Sequence, residues 1–195
     1  MNEKRMTSRE IQAEARRNQL IDTALTVFAE KGVENATTKD LAEAAGVAQG
    51  LMYHYFRSKE DLLLAVMEKH GFMPDLRRIL AVGHDRPAAA VLLEIALGFQ
   101  AMLENRQPLV RVVFREAWTN PDVGRVLGGM IHEAAEGIAR YLAARVAAGE
   151  LRPHNPDVAA RTFLHSIFMA NLTRVPMAIY IPEMVENVLK GLEAR

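Results

Sequence analysis

The 195-residue chain contains no cysteine, which removes disulfides, thiolate metal sites and a cysteine nucleophile together. That absence fits a reducing compartment, and a cytoplasmic location is expected. An excess of charge of either sign is also missing. The 24 Lys and Arg balance 24 Asp and Glu, and residues 1–70 hold 10 basic against 11 acidic side chains. Bulk charge therefore gives no reason to expect attraction to a polyanion or a membrane. No uninterrupted apolar run approaches the roughly 18 to 20 residues of a membrane-spanning helix, and the polar N-terminus does not read as a signal peptide, so no membrane partner is expected. Strand-like alternation, internal repeats and low-complexity tracts are lacking too, which points to an all-α fold.

Catalytic signatures are equally scarce. There is no G-x-S-x-G elbow, no phosphate-binding G-x-x-x-x-G-K-[ST] loop and no paired-glycine fingerprint after a strand. The nearest approach is His132-Glu133-Ala134-Ala135-Glu136, which places glutamate where a zinc protease needs its second histidine. His132 and Glu136 share a helical face, but no third ligand is evident, so neither a metal nor another cofactor is expected. An all-helical enzyme remains the rival from another functional class, and it would need ionisable groups converging on a cavity.

What is present is a run of helix signals around one glycine. Leu41, Ala42 and Ala45 recur at helical spacing; Gly46 then supplies the backbone freedom of a sharp stop; Val47, Met52, Tyr55 and Phe56 form the apolar side of a second short helix. Thr37 with Asp40 and Ser58 with Asp61 have the spacing of capping boxes. The pattern predicts a helix-turn-helix whose outward surface is Gln49, Gly50, Tyr53 and His54, the end of the second helix that enters a DNA major groove. A purely structural helical hairpin is the plainer alternative. With no net charge to help, the basic side chains that matter are Lys4, Arg5, Arg9, Arg16 and Arg17 in the arm and first helix, and Lys39, Arg57 and Lys59 beside the motif. The acidic residues are expected to face away.

The segments 46–48, 50–56 and 58–63, together with 20–32 upstream, resemble the TetR/AcrR family of transcriptional regulators. The resemblance covers about the first third of the chain. It implies a three-helix DNA-binding domain over residues 1–58, a connecting helix over 59–70, and an effector-binding and dimerisation domain over 71–195. By motif match, Thr38, Tyr53, His54 and Lys59 are expected on phosphates, and Gln49, Gly50 and Leu51 at base edges. The partners implied are double-stranded operator DNA, a second copy of the chain and a small effector whose identity is not implied. The sign of regulation is most often repression in this family. A DNA binder with no ligand is the remaining alternative.

Beyond residue 70 the apolar pattern predicts helices over 87–104, 108–118, 121–148, 156–174 and 182–193, after a passage punctuated by Gly71, Pro74, Gly83 and Pro87; the first helix of the chain is expected over 13–31. Phe99, Met102, Leu103, Phe114, Trp118, Met130 and Met169 are candidates to line an effector cavity, with Ile131 beside them, although such residues serve equally as core. Arg111, Arg115, Glu116, His132 and His165 are the polar groups available to it. Phe163, Ile167, Phe168, Val185 and Leu189 are candidates for a four-helix dimer interface, with an intrachain core as the alternative.

Overall fold

The computed structural model describes residues 7–191, and among these residues the regular elements are ten α-helices. They form two compact units. The first comprises the described residues through His70 together with Pro108–Val126; the second comprises Gly71–Gln107 and the residues from Leu127 onward. Lys4, Arg5 and Glu193 lie outside the described residues.

The first unit begins with α1 (Ser8–Lys31), which starts earlier than expected because Thr7 and Glu10 form a capping box. The Thr7 hydroxyl accepts from the Glu10 amide, and the Glu10 carboxylate accepts from the Thr7 amide. Its buried face, Leu20, Ile21, Ala24, Val27 and Phe28, packs on α4 (Lys59–His70) and α2 (Thr38–Ala44), and α2 in turn packs on α3 (Gln49–Tyr55). Asp22 on α1 holds the end of α4, accepting from Lys69 at 2.7 Å and from the His70 ring at 2.8 Å.

Most of α7 (Gln107–Thr119) and the start of α8 (Pro121–Ala147) also cluster with this unit, while the family resemblance implies one domain over 71–195. α7 meets the rest of the unit at Gly32, which closes α1 with a φ of 80°. A Cβ there would lie 2.5 Å from Arg115 Nη2 and 4.0 Å from Glu116 Oε1, so side chains of α7 reach the end of α1; the arginine tip can move aside, and it is the positive φ that favours glycine.

The second unit contains α5 (Met73–Val82), α6 (Ala88–Asn105), the rest of α8, α9 (Pro156–Leu172) and α10 (Met177–Lys190). α6 packs on α5, α9 and α10. Ile95, Ala96, Ile138, Phe163, Ile167 and Ile181 are among the residues of its contiguous core. The N-terminus of α6 follows Pro87, which offers no side-chain cap; the Glu150 carboxylate accepts from the Ala88 amide at 2.7 Å instead. α6 is long and apolar enough, by length and composition alone, to cross a membrane. In this unit Val91, Leu92, Ile95 and Ala96 on it are core, Leu97 is exposed, and Glu94 pairs with Arg86 at 2.7 Å.

Two further elements depart from expectation. α5 occupies the segment read as punctuation, because Pro74 sits in the first turn of a helix, where no intrahelical amide bond is lost. α10 begins at Met177 and runs through Pro182, which the sequence pattern places at a helix start. Met177, Ile181, Met184, Val185 and Leu189 are buried along it, and this packing offsets the backbone bond that Pro182 cannot make.

Candidate nucleic-acid interface

The turn between α2 and α3 is built from backbone up. Gly46 adopts a φ of 63°, and the Gly46 and Val47 amides bond to the carbonyls of Glu43 and Ala42 at 3.0 Å each. Gln19 on α1 donates its side-chain amide to the Ala45 carbonyl at 3.0 Å, satisfying an acceptor that the end of α2 leaves open. Leu41, Ala42, Ala45, Met52 and Phe56 are buried, as the apolar pattern requires, and Arg17 stacks over the Phe56 ring at 5.2 Å. α2 starts at the Thr37–Asp40 capping box, where the Thr37 hydroxyl accepts from the Asp40 amide at 3.1 Å. Hydrogen bonds from Lys31 and Thr37 hold the Asp40 carboxyl far below the usual carboxylate range.

This scaffold brings three of the expected contact residues together. Thr38 Oγ1 accepts from Gln49 Nε2 at 2.6 Å and from the Tyr53 hydroxyl at 3.4 Å. Gln49, Gly50, Tyr53 and His54 are exposed and Leu51 is half-buried, so they form the outward surface of α3. The His54 ring meets Tyr55 edge-on at 5.1 Å. Lys59, at the start of α4, donates to the Glu34 carbonyl at 2.8 Å and so sits beside the loop that leads into α2. The acidic residues of α2 are paired with lysines, Asp40 with Lys31 at 2.7 Å and Glu43 with Lys39 at 3.7 Å. Charge here is neutralised locally, which is how a chain with no net charge can carry such a surface.

Other candidates are dispersed. The buried face of α7 is Leu109, Val112, Val113 and Glu116; Trp118 lies on the opposite side of that helix and is 89% exposed, open to solvent and not enclosed as expected. Phe114 belongs with it to the first unit, whereas Phe99, Met102, Leu103, Met130 and Met169 belong to the second. Phe99, Met102 and Met130 pack against the second unit's core, with Phe99 5.2 Å from Phe72, and Met169 is half exposed on α9. A cleft of about 340 Å³ in this unit is lined by Ala89, Leu93, Pro182, Val185, Glu186, Leu189 and Lys190, none of them an expected cavity residue.

The interface candidates are corrected in the same way. Phe163, Ile167, Val185 and Leu189 are each at most 8% exposed within one chain and belong to its own core; Phe168 is half-buried. The outward face of α9 is instead Val158, Thr162, His165, Met169 and Leu172, spaced four and three residues apart.

Among the polar candidates, Glu116 is buried and bonded to Arg115 at 3.2 Å, while Arg111, His132 and His165 are exposed. The near-match to a zinc motif is occupied by arginines: Arg161 meets His132 at 2.9 Å, Arg77 meets Glu133 at 2.6 Å, and Arg140 meets Glu136 at 2.8 Å.

Known proteins give the same outline. Residues 20–66 match the family described as bacterial regulatory proteins, tetR family, and residues 90–186 match the C-terminal domain of AefR-like transcriptional repressors. The chain is 43% identical to the HTH-type transcriptional repressor KstR2 of Rhodococcus jostii over 77 residues, which is 37% of this chain and 37% of that protein, so the match spans little more than a third of the relative's length. It is 26% identical to the HTH-type transcriptional repressor AcnR of Corynebacterium glutamicum across 82% of this chain and 81% of that one. The fold is shared with a TetR-family transcriptional regulator from Cytophaga hutchinsonii at a TM-score of 0.72 and 19% identity, covering 98% of this chain and 100% of that one. With a capped, glycine-turned helix-turn-helix in the first unit and two family patterns spanning most of its length, the chain belongs to the TetR family of DNA-binding transcriptional regulators.

Proposed function

We propose that the protein acts in the cytoplasm as a homodimeric repressor, holding a palindromic operator and releasing it when a small, mainly apolar molecule occupies the second unit. The observation that carries the first half is the cluster of Thr38, Gln49 and Tyr53 at the exposed end of α3, set on a rigid turn at Gly46. Tyr53, His54, Thr38 and Lys59 serve the phosphates; Gln49, Gly50 and Leu51 face the bases. Gln49 alone of those three has a hydrogen-bonding side chain, so thymine-methyl contacts and DNA shape share the specificity.

The dimer rests on the outward face of α9. Val158, Met169 and Leu172 are 57%, 50% and 62% exposed there, an apolar stripe of the kind that a second copy covers. Two heads would then meet half-sites about one DNA turn apart. Selection of bound duplexes from a random pool tests this reading: a palindrome is the expected result, and no enriched sequence would overturn it.

For the effector, the α6–α10 cleft has the size of a small ligand site, apolar walls, and the Glu186–Lys190 pair, 2.6 Å apart, in its lining. Phe99, Met102 and Met130 are adaptable neighbours of the same core. Release requires the ligand to bind the DNA-competent and incompetent states unequally. The second unit's core is also contiguous, and that favours a second reading, a DNA binder that answers to no small molecule. Titration of apolar compounds against operator binding separates the two.

A further inference from the structure

Thr38 has a neighbour set that a simple phosphate contact does not need. The capping duty at the start of α2 belongs to Thr37, whose hydroxyl and backbone amide are both engaged with Asp40. The Thr38 hydroxyl is left to face α3, where Gln49 and Tyr53 stand one helical turn apart on the same side. A threonine hydroxyl has two lone pairs and one proton. Here the oxygen accepts from the Gln49 amide at 2.6 Å and from the Tyr53 hydroxyl at 3.4 Å. Both acceptor positions are used, and the proton remains available to an outside acceptor such as a phosphate oxygen.

The consequence for Gln49 is directional. With the amide nitrogen held by Thr38 its rotation is restricted, and when the N–H anti to Oε1 is the one given to the threonine, the remaining N–H donor and the Oε1 acceptor stand side by side. That donor–acceptor pair complements the N7 acceptor and N6 donor that adenine shows in the major groove. Resting on the DNA-binding reading above, we propose that Thr38 is a positioning residue for specificity: it grips the backbone with its proton and, through its oxygen, fixes Gln49 to read an adenine in each half-site. Phosphate contact and base reading are then one unit.

The test uses the full-length protein and the duplex selected from a random pool, together with the same duplex changed at the adenine read by Gln49. Thr38→Val keeps the shape and leaves the Thr37 cap in place while removing both hydrogen bonds. Wild type should favour the selected duplex by about 5- to 150-fold. Gln49→Ala and Thr38→Val should each lose most of that ratio, their double mutant should lose no more than either alone, and Thr38→Ser should restore it. Lys59→Ala is the control for a plain phosphate contact and should weaken both duplexes equally, with a salt slope lower by about one.

If Thr38→Val weakens both duplexes equally and keeps the wild-type ratio, the positioning role is overturned and DNA binding stands. A pool without adenine at the position that Gln49→Ala relaxes overturns the assignment of the base. A wild-type protein that enriches no duplex overturns both readings. Melting curves guard against misfolding, and Thr38→Ala provides a second variant should the valine fail to fit.

Discussion

The two units of this chain both bury apolar residues, but they differ in how their helices begin and turn. In the first, helix starts and the turn are fixed by directional bonds: a capping box at Thr7, another at Thr37, the Gly46 turn with its amides on Glu43 and Ala42, and Gln19 on the Ala45 carbonyl. In the second, α9 is capped by Asn155, but α6 and α10 start after prolines with no side-chain cap and are held by a contiguous apolar core. Polar bonds tie a residue's identity to one position and one role. Apolar packing constrains size and periodicity, and many assignments of individual residues satisfy it equally. A substitution should therefore break a local geometry in the first unit and the whole core in the second.

The largest effect is expected at Ile167. It is 0% exposed in the core of the second unit, so Ile167→Asp would bury an unpaired charge. Chemical denaturation should show a loss of more than about 4 kcal/mol, or no folded second unit at all. Met169 is two residues away and half exposed. Met169→Asp should leave the melting temperature near that of wild type and shift the sedimentation coefficient from dimer to monomer. A folded Ile167→Asp protein of normal stability would break the contrast between core and outward face; a dimeric Met169→Asp protein would move the interface off α9.

That pair also marks what the sequence could reveal. The start and end of α4 and the start of α8 agree with expectation, because Ser58, Pro121 and the motif residues carry local chemical signals. α5 was hidden because Pro74 has the same composition signal in a first turn as in a loop. The outward exposure of Gln49, Gly50, Tyr53 and His54 was legible in the apolar pattern, although the hydrogen bonds of Thr38 with Gln49 and Tyr53 were not, since nothing in spacing places residue 38 against residue 49. On α9 the apolar residues exceed one stripe, so periodicity alone could not choose which side faces inward. Phe163 and Ile167 turned to the chain's own core, and Val158, Met169 and Leu172 turned out. Glu116 is another residue no pattern marked as buried; its partner Arg115 and the approach to Gly32 come from a segment far along the chain.

Gly46→Ala sharpens the same comparison at intermediate size. Its φ of 63° is the left-handed region, and a Cβ there would meet no atom within 4 Å, so the cost is backbone strain alone. About 1 to 2 kcal/mol of stability should be lost, with no cavity or clash to add to it. Urea unfolding followed by circular dichroism measures this. A neutral result would mean that the turn relaxes, and with it the geometry that presents α3.

Opposite ends of the pH scale should separate the units more gently. In the first, Asp40 is held far below its ordinary value by hydrogen bonds from Lys31 and Thr37. For Asp22, burial raises the value, but bonds from Lys69 and His70 outweigh it and the net shift is downward. A depressed carboxyl pKa contributes stability that is present above the unfolded value of 3.8 and is lost as pH falls through the folded value. In the second unit, burial pushes the Tyr141 hydroxyl up to about 12 from 10.0, while it donates to the Arg86 carbonyl at 2.7 Å. Its contribution is full below the unfolded value and is lost as pH rises through the folded one. Hydrogen exchange should accordingly show α1, α2 and α4 loosening below pH 3.8, in the acid range where Glu186 on α10 also loses its bond from Lys190, and the Tyr141 region of α8 loosening between pH 10.0 and about 12. The same order at both extremes would contradict this division.

Trp118 should give the smallest effect. As the chain's one tryptophan it is the natural optical probe, and at 89% exposed it makes almost no packing contribution to lose. Trp118→Phe should change stability by less than about 0.5 kcal/mol. Its emission should be red-shifted and quenched by acrylamide at nearly the rate of free indole, because water and quencher reach the whole ring. An apolar compound bound in the α6–α10 cleft should leave that quenching rate unchanged, since Trp118 is not among the residues that line the cleft. Protection of Trp118 by the compound would place the ligand against α7 and remove the α6–α10 cleft as the effector site.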